Sequence, residues 1–315
     1  MTQSPATRHA TLRMTLAMIL SGSIGVLVVE SGENAVTVVF WRCLLGAMAI
    51  AAYVVLTRRV ALRAMSLRTW SLMALSGITM AANWVFFFKA YSHAPISTVA
   101  IVYHLYPFIL ILAAGPIFGE RVRAWSLCWA LVAFLGVVVI ATGSGGDAGI
   151  DLSGIVLTSI AMIFYASTLL IAKRLQAVPP ELVSAIQLMV GALALLPYQT
   201  ASGGDFGAQT WVCLVTLGIV HTGLLYVLLY GAVQKLSTSA VALMSFLYPA
   251  TALGFDVVVY GLRPGPVQGA GILLIVGAVL AERLGQGGSQ KLAVAVRTEE
   301  QKEPEVGLCN PPFLG

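Results

Sequence analysis

The chain has 315 residues, 58% of them hydrophobic and 10% charged, with a formal net charge of +5 and a mean hydropathy of +0.90. A soluble domain covers its outside with about 25% charged residues, so this composition excludes a water-facing surface of ordinary size and predicts an all-α integral membrane protein. The basic residues are strung between apolar segments, which excludes the clustered basic face that a nucleic-acid partner requires.

In chain order, charges and Pro/Gly clusters cut the sequence into ten apolar stretches: 12–29, 34–56, 70–90, 96–118, 124–142, 150–171, 181–200, 209–233, 238–260 and 266–284. Each is close to the ~20 residues a helix needs to cross the hydrocarbon core. Arg8 and Arg13 flank the first, but no small-residue cleavage site follows it, so it reads as a retained helix and not as a signal peptide. Beyond Gly285 the chain turns polar, and 286–315 is expected to be a disordered cytoplasmic tail. Cys43, Cys128, Cys213 and Cys309 are far apart without CxxC spacing, so they read as packing residues, with neither a disulfide framework nor a metal site.

The loops fix an orientation. With the N-terminus inside, fifteen of the eighteen Lys and Arg fall on the cytoplasmic side: Arg8, Arg13, Arg58, Arg59, Arg63, Arg68, Arg121, Arg123, Lys173, Arg174, Lys235, Arg283, Lys291, Arg297 and Lys302. Lys89 and Arg263 face outward, and Arg42 lies inside the second stretch. The positive-inside rule then predicts both termini in the cytoplasm.

Shifting the chain by 142 residues superposes Ala90–Pro107 on Ala232–Pro249 with seven of eighteen positions identical, including Leu105-Tyr106-Pro107 on Leu247-Tyr248-Pro249. Gly119/Gly261 and Arg121/Arg263 fall on the same offset, and an offset of 145 pairs Gly46 with Gly191 and Arg42 with Gln187. The sequence therefore divides into halves, 1–145 and 146–285, of five spans each. An odd number of spans inverts the second half relative to the first, which explains why Arg121 is inside and its mate Arg263 outside. Ten spans in two inverted five-helix repeats are suited to alternating access around a central site.

Phe40-Trp41-Arg42, the Ala90…Ala94-Pro95-Ile96-Ser97 lead-in, Leu105-Tyr106-Pro107 and the Gly119-Glu120-Arg121 exit resemble the drug/metabolite transporter (DMT) superfamily, EamA family. Within it the sequence is most similar to the YddG-type exporters of aromatic and other neutral amino acids. The resemblance implies a multi-pass exporter of the bacterial inner membrane, with its pocket between the halves and the third, fourth, eighth and ninth helices near the centre. Gly261-Leu262-Arg263 departs from the first-half pattern, so a paired role for Glu120 is not duplicated.

Among individual residues, Pro107 and Pro249 lie mid-span and withdraw the helical donors of the Tyr103 and Ser245 carbonyls. They read either as kinks and hinges or as making two carbonyl ligands for a substrate ammonium. His104 is read as lining the pocket, either neutral and satisfied or as a proton site, and His221 invites the same argument. Arg42 either attracts a carboxylate or caps carbonyls between helices; Asp256 either pairs with Arg42 or is plainly solvated. Asn83, Trp84, Tyr103, Tyr106, Tyr165, Tyr226 and Tyr248 form a candidate aromatic-lined cavity, and Phe86-Phe87-Phe88 reads as a lipid-facing belt. Gly115/Gly119 and Gly265/Gly269 read as GxxxG packing contacts.

No HExxH, GxSxG or Walker A sequence is present. The expectation is a non-enzymatic secondary carrier without cofactor, acting as a monomer in the lipid bilayer on neutral, largely apolar or aromatic amino acids. The alternatives are export of another small metabolite or a cationic drug, or, in a different class, a membrane enzyme or scaffold.

Overall fold

A computed structural model describes residues 5–57, 65–94, 96–142, 152–199 and 206–300. Arg58, Arg59, Arg63, Pro95, Asp147, Asp151, Asp205, Lys302, Cys309, the boundary at 145/146 and the segment 301–315 lie outside the described residues. The elements are α1 (Pro5–Gly22), α2 (Ile24–Ser31), α3 (Ala35–Thr57), α4 (Leu67–Ala90), α5 (Ile96–Tyr103), α6 (Tyr106–Phe118), α7 (Ala124–Thr142), α8 (Leu152–Arg174) and α9 (Pro180–Gln199). They continue with α10 (Ala208–Gly218), a π-helical turn (Ile219–Leu224), α11 (Leu225–Val233), α12 (Thr238–Ser245), α13 (Leu247–Tyr260) and α14 (Pro266–Glu300). Among the described residues there is no strand.

Helices dominate because a chain in hydrocarbon must satisfy its own backbone groups within each segment. Nine helical segments among the described residues are long and apolar enough to cross a membrane, and Pro266–Glu282 is a shorter apolar helix. Burial follows the same solvent logic. Large apolar residues such as Val55, Leu56, Leu112, Leu131, Leu193 and Leu273 are exposed, whereas Arg42, Asn83, His104, Gln187 and Thr222 are buried. Apolar outside with polar residues enclosed is the distribution of a multi-pass membrane protein.

Two features of α14 differ from expectation. Its backbone stays helical as far as Glu300, so 286–300 continues the last helix where composition predicts a disordered tail. Close packing of α14 is made at Gly271: a Cβ there would lie 2.7 Å from the Gly136 carbonyl oxygen of α7, and a Cβ on Gly136 would lie 2.7 Å from the Gly271 carbonyl oxygen. At Gly265 and Gly269 a Cβ would meet nothing within 4 Å. The GxxxG reading is corrected accordingly, and Gly119, like Gly261, is a left-handed helix cap (φ 68° and 64°).

The helix pairs are α7 with α14, α3 with α9, α4 with α8 and α9, α1 with α11 and α13, α3 with α10 and the π turn, and α6 with α12. At one end of the bundle, Glu120, just after α6, meets Lys173 of α8 at 2.7 Å. Its carboxylate also accepts from the Thr238 backbone N–H (2.9 Å) and hydroxyl (3.0 Å) at the start of α12. Lys173 Nζ donates in addition to the Leu236 carbonyl at 2.8 Å.

Candidate functional site

The centre of the molecule is organised by two helix interruptions. α5 ends at Tyr103 and α6 begins at Tyr106; α12 ends at Ser245 and α13 begins at Leu247. Each break is bridged by a tight bond, Leu105 N–H to Val102 O and Phe246 N–H to Leu243 O, both 3.2 Å. Pro107 is the second residue of α6 and Pro249 the third of α13. Each proline lies in the first turn after its break, where a missing N–H costs nothing, and the residues that bridge the breaks, Leu105 (φ −79°, ψ −14°) and Phe246 (φ −68°, ψ −12°), keep right-handed helical dihedrals.

Rings crowd this break. The His104 imidazole lies nearly parallel to Tyr248 (centroids 5.7 Å, 13°) and stacks on Phe246 (6.4 Å, 29°). Its Nδ1 is 2.7 Å from the Ala100 carbonyl, while Nε2 is buried without a hydrogen-bond partner. Tyr103 stacks on Tyr165 at 5.6 Å, Tyr106 meets Tyr165 edge-on at 4.7 Å, and Phe87 lies 4.4 Å from Tyr103. The Tyr103 hydroxyl donates to Asn83 Oδ1 at 3.0 Å. Phe87 is therefore turned inward, and Phe86 stacks on Phe164 of α8 at 6.0 Å, so the triple Phe packs between helices as well as bordering lipid.

A second polar group adjoins the first through α4. The Arg42 guanidinium lies 4.4 Å over the Trp84 ring, and its Nε and Nη2 donate to Thr222 Oγ1 (3.0 Å) and the His221 carbonyl (3.3 Å). Trp84 in turn meets Tyr226 edge-on at 5.8 Å. The acceptors for Arg42 both come from the π turn. The Thr222 hydroxyl donates five residues back to the Leu217 carbonyl at 2.8 Å, and His221 Nε2 pairs with Ser23 Oγ of the first span at 2.8 Å.

Of the residues singled out by sequence, Asn83, Trp84, Tyr103, His104, Tyr106, Tyr165, Tyr226 and Tyr248 are brought into one connected cluster. Ser245 is buried beside it, but its hydroxyl donates to the Val241 carbonyl of its own helix at 2.8 Å. Arg42 is held by Thr222, His221 and Trp84 and not by Asp256, which is partly exposed on α13. Phe246, Thr222 and Ser23 were not picked out by sequence. Phe246 was within reach, since it is the mate of His104 at offset 142. Thr222 was not, because the π turn that carries it has no sequence signature, and Ser23 was not, because only the packing of the first span brings it to His221.

Comparison with known proteins fits this architecture. A solved crystal structure of another protein superposes with a TM-score of 0.78 over 86% of this chain and 97% of that one, at 21% identity, which shows a shared fold. The chain is 29% identical over 269 residues to an uncharacterized transporter, YxxF, of Bacillus subtilis, covering 84% of this chain and 86% of the relative. It is 24% identical over 204 residues to a protein of Ancylobacter novellus named as the aromatic amino acid exporter YddG, covering 63% of this chain and 71% of that one. The profile of the EamA-like transporter family matches residues 10–142 and 152–281, and the chain belongs to that family of membrane transporters.

Proposed function

We propose that the protein is a secondary carrier that exports neutral, largely apolar or aromatic amino acids across the bacterial inner membrane by alternating access. It does so with ten spans in two inverted five-helix repeats and both termini in the cytoplasm. The observation that carries this reading is the pair of helix breaks at Tyr103–Tyr106 and Ser245–Leu247, related by an offset of 142 and enclosed by tyrosine, phenylalanine and histidine rings. Interrupted helices meeting near mid-span are where carriers of inverted-repeat architecture hold their substrates. An aromatic lining with few convergent polar groups suits an apolar amino acid.

The contact pattern supports the repeat. Exchanging first-half with second-half spans turns α4·α8 into α11·α1, α4·α9 into the π turn·α3, and leaves α3·α9 and α7·α14 unchanged, and all these pairs are present. Polar contacts repeat as well: Ser23 to His221 at 2.8 Å is mirrored by Thr168 to Thr79 at 2.8 Å, at offsets of 145 and 142. Arg42 and its mate Gln187 each reach across to a backbone carbonyl of a facing helix, His221 at 3.3 Å and Ser76 at 3.1 Å. The relative named as an aromatic amino acid exporter supports the substrate class. A cationic drug is disfavoured, because the charged group adjoining the rings is the Arg42 guanidinium.

Uptake of radiolabelled phenylalanine and methionine into proteoliposomes tests the proposal. Saturable uptake above that of empty vesicles, with no proton gradient imposed, is expected. Uptake equal to that of empty vesicles, with and without a gradient, rejects the amino-acid assignment.

A further inference from the structure

Two buried polar atoms near the break between α5 and α6 lack protein partners, and they are of opposite kind. Asn83 is 0% exposed; its Oδ1 is taken by the Tyr103 hydroxyl, which leaves Nδ2 as a donor without an acceptor. His104 is 1% exposed, and its Nδ1 faces the Ala100 carbonyl at 2.7 Å. A carbonyl only accepts, so Nδ1 carries the proton and the neutral imidazole offers Nε2 as an acceptor, again without a partner. Leaving such groups unmet costs about 1–3 kcal/mol each, a cost that a ligand bridging the two would remove. Their orientations are fixed, Asn83 by Tyr103 and the imidazole plane by Tyr248 and Phe246.

The geometry points to a polar axis for the substrate: His104 Nε2 receives the α-ammonium of an amino-acid zwitterion, and Asn83 Nδ2 donates to its α-carboxylate. The axis rests on the amino-acid reading above and adds which end of the molecule goes where. Tyr103 joins the two poles, hydrogen-bonded to Asn83 and edge-on to His104 at 6.1 Å. The sign of the axis is set by the kinds of the two atoms: the acceptor Nε2 of His104 can take only the ammonium, and the donor Nδ2 of Asn83 only the carboxylate. A lone cation would satisfy only His104, and a lone anion only Asn83. The mates of these residues at offset 142 are Leu225 and Phe246. A device for packing two similar halves would be present in both; this one exists once, as the binding of one asymmetric molecule requires.

Equilibrium binding to the purified full chain tests the axis with three probes: phenylalanine, 3-phenylpropionate without the ammonium, and phenylethylamine without the carboxylate. The wild type is expected to prefer phenylalanine over each partial analogue by about tenfold or more, the worth of one hydrogen bond to a charged group. His104→Phe, which copies the mate and keeps the stack on Tyr248, is expected to lose the preference over 3-phenylpropionate and retain that over phenylethylamine. Asn83→Leu is expected to do the reverse. Preferences unchanged in both variants, or lost equally for all probes, overturn the axis. A wild type that binds phenylalanine no better than its analogues overturns it without any substitution. Absence of phenylalanine binding to the wild type overturns the amino-acid reading and the axis with it.

Discussion

Arg42 is a guanidinium at 2% exposure in a helix bundle whose outside is apolar, so its charge is tolerated only through the groups that surround it. Removing a partner leaves a buried charge uncompensated, whereas removing the charge itself leaves an ordinary apolar contact. Trp84→Ala, which deletes the ring under the guanidinium and the edge contact to Tyr226, is expected to cost about 3–5 kcal/mol. Thr222→Val, which removes the acceptor of Nε, is expected to cost about 1–3 kcal/mol. Arg42→Met, which keeps the length and drops the charge, is expected to cost less than either. Thermal unfolding of the detergent-solubilised protein ranks the three, and an Arg42→Met variant that melts first would show that the charge stabilises the fold outright. At a neighbouring position, Tyr103→Phe keeps the ring among Tyr165, Tyr106 and Phe87 and removes only the proton given to Asn83 Oδ1. It is expected to weaken phenylalanine binding about three- to tenfold, the range of one neutral hydrogen bond, with little change in melting temperature.

Between elements, close approach decides stability. α7 and α14 touch backbone to backbone at Gly136 and Gly271, where a Cβ on either would lie 2.7 Å from the other's carbonyl oxygen. Gly136→Ala and Gly271→Ala are therefore expected to force the helices apart and destabilise by about 1–3 kcal/mol. Gly277→Ala, on the same α14 but with nothing within 4 Å, is expected to be neutral or to gain up to about 1 kcal/mol from helix propensity. Equal melting temperatures for all three would mean that α7 and α14 do not pack at these glycines. The contrast shows what was legible in the amino-acid sequence. The spans themselves were readable because each is a long apolar run with at most two charges inside it, and the breaks were flagged by Leu-Tyr-Pro at one offset. Which glycines face a neighbour was not, since the GxxxG spacing of Gly265 and Gly269 is satisfied without contact, while the pair that meets lies on different helices. The π turn was equally silent. It inserts one residue into a run of apolar character, visible only as a slip: Gly77 and Gly218, which face α9 and α3 in the same way, are 141 apart, while Trp84 and Tyr226 beyond the turn are 142 apart.

On the scale of the whole molecule, the two proposed halves are alike in packing but unlike in charge, and on the alternating-access reading that difference says how the transporter is closed. Glu120 binds Lys173 and caps the start of α12 at Thr238, so one carboxylate ties the end of α6 to two second-half helices. Its mate is Leu262, which offers no such tie. In the orientation proposed above, the Glu120 end, with Arg121, Arg123, Lys173, Arg174 and Lys235, is the cytoplasmic one. For alternating access the tie must break in every cycle. Replacing Glu120 and Thr238 by cysteine, with Cys43, Cys128, Cys213 and Cys309 changed to alanine, gives a protein whose closure at that end is set by oxidation. Flux into proteoliposomes is expected to stop when the disulfide forms and to return on reduction, with phenylalanine binding from the opposite side retained while locked. The single Glu120→Cys protein, oxidised in parallel, is expected to transport at the same rate before and after oxidation. Undiminished flux through a fully oxidised double-cysteine protein would mean that the Glu120 end does not open during transport, and would restrict Glu120 to holding α6, α8 and α12 together.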